Sequence, residues 1–121
     1  MARDILVLVD DMFFSAKIGA TGQSCGVRVE FVATRDALIA KAQGRPPGLI
    51  IIDLNGATTE PVESIRDLKA IPELRTTPVL AFFSHVQTDL RDRAMAAGCD
   101  TVMPRSLFSR DLAQILTQHS Q

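Results

Sequence analysis

Short apolar segments alternate along the whole chain with longer stretches in which apolar residues follow a helical spacing. Five of the segments are rich in β-branched residues or Phe and are bounded by polar or turn residues, as buried strands are. They are Ile5–Val9, Val27–Phe31, Leu49–Ile52, Val79–Phe83 and Thr101–Met103. The pattern predicts five strands.

The intervals between these strands carry the periodicity of amphipathic helices. Thr34 is predicted to cap the second helix, and Ser106 or Ser109 to cap the last one. One predicted apolar face consists of Val62, Ile65, Leu68 and Ile71, and another of Phe108, Leu112, Ile115 and Leu116.

A strand followed by a helix, five times over, predicts a parallel sheet that helices cover on both faces. The expected fold class is α/β, as a doubly wound, flavodoxin-like (βα)5 domain. No linker, charge run or low-complexity stretch divides the chain, so one domain spans residues 1–121.

Composition and charge exclude some classes of partner for this chain. Thirteen Lys and Arg against fourteen Asp and Glu give a net charge of −1, which argues against a nucleic-acid partner. The apolar run at Ile5–Val9 is too short for a signal peptide or a membrane span, so no membrane partner is expected. Cys25 and Cys99 are expected to be free thiols, which favours a cytoplasmic location.

The chemistry is expected just beyond the carboxyl ends of the strands, where open parallel sheets bind ligands. Asp10 and Asp11 follow the first strand, and Asp53 closes the third. If these strands are neighbours, three carboxylates converge and repel one another unless a proton or a cation neutralises them. Hard oxygen ligands of this kind suit Mg²⁺. An alternative stays open, in which Asp10 or Asp11 caps the first helix and Asp53 caps a turn.

The run from Ile5 to Asp11, the run Leu49–Leu54 and the triplet Gly98-Cys99-Asp100 resemble the receiver domain of two-component response regulators. The resemblance covers essentially the whole chain and implies the sheet order 2-1-3-4-5. It also implies that Asp53 accepts a phosphoryl group and that Mg²⁺ is held at Asp10, Asp11, Asp53 and the backbone carbonyl of Asn55. The implied partner is a sensor histidine kinase or another signalling protein.

Two positions that complete the receiver switch are altered. The family places a Ser or Thr at the end of the fourth strand; Ser84 matches by identity, but keeping Pro78 in register puts Phe83 in that position. The family's Lys–Pro pair after the fifth strand is replaced by Arg105 and Ser106. Arg keeps the charge with a different geometry, and Phe cannot donate a hydrogen bond to a phosphoryl oxygen.

Other departures lie in neighbouring loops. Where the family carries a Pro and later a Gly after the phosphoacceptor, this chain has Ala57 and Glu60-Pro61. His85 follows Ser84 and is interpreted as a solvated or capping residue, with ligand contact as the alternative.

The expectation is therefore an atypical receiver-like signalling domain that binds Mg²⁺ weakly and is not an enzyme beyond Mg-dependent self-phosphorylation of Asp53. Either Asp53 is phosphorylated, with Ser84 and Arg105 as a variant switch, or the fold acts through protein–protein contacts alone; the departures favour the second. The last helices are expected to meet a partner, a second copy included. The rival class is a small phosphate-ester enzyme or a nucleotide or flavin binder on the same fold, although no phosphate-binding loop motif is present.

Overall fold

The computed structural model describes residues 3–84 and 88–120, and its strands form one parallel sheet. The strands are β1 (Ile5–Leu8), β2 (Val29–Val32), β3 (Leu49–Asp53), β4 (Val79–Phe83) and β5 (Thr101–Pro104). Their order is β2-β1-β3-β4-β5, which confirms the predicted topology. β2 begins two residues later than expected because the N–H of Val27 is still bonded to the carbonyl of Gly22 in the preceding helix, at 2.8 Å.

Helices connect the strands. They are α1 (Met12–Cys25), α2 (Arg35–Gly44), α3 (Pro61–Ala70), α4 (Thr88–Ala96) and α5 (Arg105–His119), with a 3₁₀ turn at Pro72–Leu74. The predicted cap of α2 is confirmed, since the Thr34 hydroxyl accepts the N–H of Ala37 at 3.1 Å. The predicted cap of α5 is wrong. Pro104 takes the N-cap position, and its fixed φ lets the helix begin at Arg105, so that Ser106 and Ser109 lie inside the helix.

Helices cover both faces of the sheet. On one face, α1 contributes Phe14 and Ile18 while α5 contributes four apolar residues to a core that includes Phe82 of β4. The rings of Phe14, Phe82 and Phe108 form a compact aromatic group, with centroids 4.7 to 5.7 Å apart. The other face packs against α2, α3 and α4. Because β3 is buried on both faces, all five of its residues are buried, including its final carboxylate.

The strands end nearly level with one another. Leu8 of β1 pairs with Ile52 of β3, Asp53 with Phe82 of β4, and Phe83 with Pro104 of β5. The residues that follow β1, β3, β4 and β5 therefore share one edge of the sheet. None of the helices in the described part of the chain has the length and apolar character needed to span a bilayer.

Candidate functional site

The three predicted carboxylates lie at this shared edge but differ in exposure. Asp53 is the last residue of β3 and is only 8% exposed. Asp11 is half-buried and Asp10 is exposed, on the segment between β1 and α1. We call these three residues the acidic cluster.

Asp11 caps the first helix, which is the alternative that the sequence left open, and it also pairs with a cation of the chain. Its Oδ1 accepts the N–H of Phe14 at 3.1 Å, which caps α1. Its Oδ2 accepts a hydrogen bond from Nη2 of Arg105 at 3.2 Å. The Phe14 hydrogen bond, helped by the charge of Arg105, lowers the pKa of Asp11 against the opposing effect of burial. Asp11 is therefore held as a carboxylate by the helix and by a cation.

Asp53 is in the opposite electrostatic situation. Burial raises its pKa, and the negative charges of Asp10 and Asp11 act in the same direction. The N–H of Asn55, which donates to Asp53 Oδ1 at 2.9 Å, and the charge of Arg105 oppose this shift without cancelling it. A carboxylate in this environment gains from a nearby cation.

Asp10 links the end of β1 to the loop after β3. Its Oδ2 accepts the N–H of Ala57 at 3.0 Å, a contact between residues 47 positions apart in sequence. The bond fixes the β3–α3 loop beside the acidic cluster. This role was not predicted, and no motif marks it, because the donor is a backbone N–H that any residue except Pro would provide.

Arg105 is the cation of the site. Its guanidinium carbon lies 4.0 Å from the centroid of the Phe14 ring, in a cation–π contact. Phe14 in turn is packed into the aromatic group under the sheet edge. Arg105 is thus fixed from two directions, by the ring of Phe14 and by the carboxylate of Asp11.

Ser84 and Asn55 form a bridge between the loops after β4 and β3. Asn55 Oδ1 accepts both the backbone N–H of Ser84 at 2.6 Å and the Ser84 hydroxyl at 3.1 Å. The predicted hydroxyl is therefore at the edge, but its hydrogen bond goes to the Asn55 side chain.

The acidic cluster offers hard oxygen donors, which fit Mg²⁺ better than softer metals. One oxygen of Asp53 and one of Asp10 accept backbone N–H groups, whereas both oxygens of Asp11 are engaged. Within residues 3–84 and 88–120, no three His, Cys, Asp or Glu side chains are grouped so as to hold a metal ion. Mg²⁺ is the cation that such donors suit, because it usually binds through one or two carboxylates and keeps several water ligands.

Comparison with known proteins was made at the level of sequence and of structure. Neither a protein-family model nor a curated protein matches the sequence. Solved structures do match. The chain superposes on the chemotaxis protein CheY4 of Vibrio cholerae with a TM-score of 0.83 and 21% identity, covering 98% of this chain and 99% of that one.

Two histidine-kinase receiver domains match equally well. One, from the sensor histidine kinase PA1611 of Pseudomonas aeruginosa, has a magnesium ion in its active-site cleft; the TM-score is 0.84, with 21% identity and 98% of each chain covered. The other, from a histidine kinase of Syntrophus aciditrophicus, gives 0.83 with 22% identity, covering 97% of this chain and 89% of that one. This chain has the receiver fold.

Phe83 and Ser106, the two residues that depart from the receiver pattern, lie in environments that differ from each other. Phe83 ends β4 and is half-buried against the core under α2, α3 and α4. Ser106 is exposed in the first turn of α5, and every described peptide bond is trans, including the one before it. Neither residue contacts the acidic cluster through a described hydrogen bond, and on the β4–β5 side of the edge the described polar contacts come from Ser84 and Arg105.

The β3–α3 loop carries a strain that the sequence did not reveal. Glu60 has φ +50°, a left-handed conformation that favours Gly, and it gives α3 no side-chain cap. The Thr59 hydroxyl just before it is buried and has no hydrogen-bond partner among the described residues. The signal in the sequence that could have indicated this is Glu60-Pro61, which stands where the resembled family carries a Gly.

Of the remaining candidate residues, the structure describes the two cysteines. Cys99 is buried, and burial raises the pKa of its thiol to about 11, as expected for a packing residue. Cys25 is a free, exposed thiol. His85 lies outside the described residues, so its interpretation stays a prediction.

Proposed function

We propose that this chain is a receiver-type signalling domain that acts through protein–protein contact and does not depend on phosphorylation of Asp53. One observation carries the proposal: the polar groups that face the acidic cluster from β4 and β5 are already bonded within the site. Arg105 is paired with Asp11, and Ser84 is bonded to Asn55. Phe83 adds no hydroxyl.

The acidic cluster supports a receiver ancestry for the site. Asp53 would be the phosphoacceptor, since its carboxylate lies at the centre of the edge with Asp10 and Asp11 beside it. Asp10, Asp11, Asp53 and the backbone carbonyl of Asn55 would hold Mg²⁺. When bound, the cation would offset the repulsion between an anionic nucleophile and an anionic phosphoryl group.

The residues of this chain make that chemistry difficult. A cation that uses Asp11 competes with Arg105 for the same Oδ2 atom. A phosphoryl group on Asp53 needs donors for its oxygens, yet the N–H of Ser84 points to Asn55 and the N–H of Ala57 to Asp10. A phosphoryl group on Asp53 would have to compete with these internal bonds for the backbone donors of Ser84 and Ala57.

The proposed partner is a sensor histidine kinase or another signalling protein in the cytoplasm. We place the contact on the last helices, with self-association through the same surface as an included case. α4 exposes Met95, and the neighbouring edge strand β5 has half-exposed Val102 and Met103. Neither nucleic acid nor a membrane is part of the proposal, in line with the net charge of −1.

The rival class is not favoured by the geometry. A nucleotide or flavin phosphate at the end of β1 would meet the carboxylates of Asp10 and Asp11 in place of backbone N–H groups and hydroxyls. Like charges at this position disfavour such a ligand.

The proposal is tested by incubating the protein with Mg²⁺ and acetyl phosphate and measuring the intact mass, with Asp53→Ala as the control. We expect no Asp53-dependent adduct. In parallel, a pull-down with the wild-type chain and with Asp53→Ala is expected to retain the same partner. A near-stoichiometric phosphoryl adduct that Asp53→Ala abolishes would overturn the proposal.

The structural reason is tested separately with the double variant Phe83→Thr/Arg105→Lys. It returns a hydroxyl and an ammonium to the positions where the family carries them, so Asp53-dependent labelling by acetyl phosphate should become measurable. Labelling that stays at the wild-type level in the folded double variant would show that these two positions are not the cause.

A further inference from the structure

A groove of about 470 Å³ opens between the first turns of α1 and α5, next to Arg105. Its walls contain two phenylalanines of α1, the cations Lys17 and Arg105, and three serines. The acidic cluster lies outside it, and no acidic residue is among the described residues that line it. Its size is in the range of pockets that bind small organic ligands, about 300 to 1,000 Å³.

Two cations line the groove, one of which, Arg105, is paired with Asp11 outside it. Lys17 is exposed at its wall, and the first turn of α5 contains no acidic residue. Arg105 uses Nη2 for Asp11, which leaves further N–H donors of its planar fork for a second anion. Hydroxyls at Ser106 and Ser109 add neutral donors around these two cations, whereas the Ser84 hydroxyl at the same wall already donates to Asn55. Such a set of donors suits the several oxygens of a phosphate group.

One wall of the groove contains a phenylalanine, Phe13, that is not packed into the core. Phe14 already fills the core position of α1, whereas the neighbouring Phe13 is 90% exposed and lines the groove. An exposed phenylalanine beside a cationic groove offers a flat apolar surface to the ring of a ligand.

We propose that this groove binds a small phosphate monoester of an aromatic group. The phosphate would lie between Lys17 and Arg105, with the serine hydroxyls as further donors, and the ring would lie against Phe13. The inference shares Arg105 with the proposed function, but it does not use Asp53, which does not line the groove.

The test is a titration of phenyl phosphate into the full ¹⁵N-labelled chain, followed by amide chemical shifts. We expect saturable shifts at Lys17, Ser106 and Ser109 and weaker binding of inorganic phosphate. Lys17→Gln should weaken binding roughly tenfold, since it removes a charge-assisted contact, and Phe13→Ser roughly fivefold, since it removes the aromatic wall. Labelling of Asp53 by acetyl phosphate is measured on the same chain, so failure at Asp53 and failure at the groove are separable.

Matched controls exist in the chain. Met12→Ser removes an apolar side chain that is 84% exposed but does not line the groove, and Lys41→Gln removes a lysine on α2 that is paired with Glu30. Both should leave the affinity for phenyl phosphate within about twofold of wild type. Absence of saturable shifts, equal affinity for inorganic phosphate, or an unchanged affinity in Lys17→Gln would each overturn the proposal.

Discussion

The two halves of the carboxyl edge of the sheet differ in the hydrogen bonds that hold their side chains. In the acidic half, Asp10, Asp11 and Asp53 each accept a backbone N–H, from Ala57, Phe14 and Asn55 respectively. In the switch half, which consists of Phe83, Ser84, Arg105 and Ser106, three described hydrogen bonds go to side chains of the acidic half or its loop.

The difference shows which part of such a site tolerates substitution. Backbone donors are supplied by the fold itself, so the carboxylates keep their positions whatever side chains surround them. The side-chain contacts of the switch half depend on residue identity, since they are made by the Arg105 guanidinium and the Ser84 hydroxyl. In this chain Arg105 pairs with Asp11 but does not cancel the effect of burial on the pKa of Asp53.

The largest effect should come from Phe14, which joins the two halves by supporting Arg105 from α1. Phe14→Ala removes a buried ring that packs against Phe82 and Phe108. We expect the free energy of unfolding to fall by about 3–5 kcal/mol, as for other buried Phe-to-Ala changes. Urea denaturation followed by circular dichroism measures this.

Phe13→Ala is the matched control, because it removes the adjacent and almost fully exposed ring. Its stability should stay within about 0.5 kcal/mol of wild type. Equal losses for the two variants would mean that the assignment of Phe14 to the core and Phe13 to the surface is wrong.

A smaller effect separates the two contacts of Asp11. Asp11→Ala should lower the free energy of unfolding by about 1 kcal/mol through loss of the cap. The pair with Arg105 adds at most about 1 kcal/mol, since both side chains are about one-third exposed. Asp11→Ser keeps a capping oxygen and loses the pair, so the difference between the variants in urea denaturation isolates the cap. If Asp11→Ser is as unstable as Asp11→Ala, the Phe14 hydrogen bond contributes nothing.

Much of the fold was predictable because strands that are buried on both faces require continuous apolar runs in the sequence. The runs Leu49–Ile52 and Val79–Phe83 are apolar at every position, since helices cover both faces of a parallel sheet. Strand starts were less certain. Val27 is buried, yet it lies in the turn after α1, because Gly26 adopts a left-handed conformation and turns the chain before the strand begins.

The acidic cluster was predictable for a related reason. A carboxylate that closes a buried run, as Asp53 does, is rare without a function, and the topology brings Asp10 and Asp11 to the same edge. The contacts of the switch half were not predictable. The sequence showed that Arg105 replaces a Lys, but only the structure places its guanidinium on Phe14 and Asp11. The cap of α5 was mispredicted because Ser is a good cap residue and Pro104 has no capping side chain.

The subtlest test of the comparison is the pH dependence of stability at Asp53. Its pKa in the folded chain is raised above the usual 3.8, chiefly by burial, so the folded state holds this proton more tightly than the unfolded state does. Stability is therefore lost as pH rises from the unfolded pKa through the folded one. Asp53→Asn keeps an oxygen to accept the N–H of Asn55 and removes the charge. We expect a higher Tm than wild type at pH 7 and a gain that shrinks as the pH approaches 4.

Asp11→Asn should behave in the opposite way, which makes it the control for Asp53→Asn. The pKa of Asp11 is lowered, chiefly by the Phe14 hydrogen bond, so its charged form stabilises the fold above the unfolded pKa and this contribution is lost as the pH falls. Asn still caps a helix, so the variant should lose only the contribution of the charge and melt below wild type at pH 7. Thermal melts of both variants and of wild type at pH 7 and near pH 4 measure these Tm differences. A lower Tm for Asp53→Asn at pH 7 would mean that Arg105 neutralises Asp53 as well as Asp11, and that burial does not control the charge at the centre of the site.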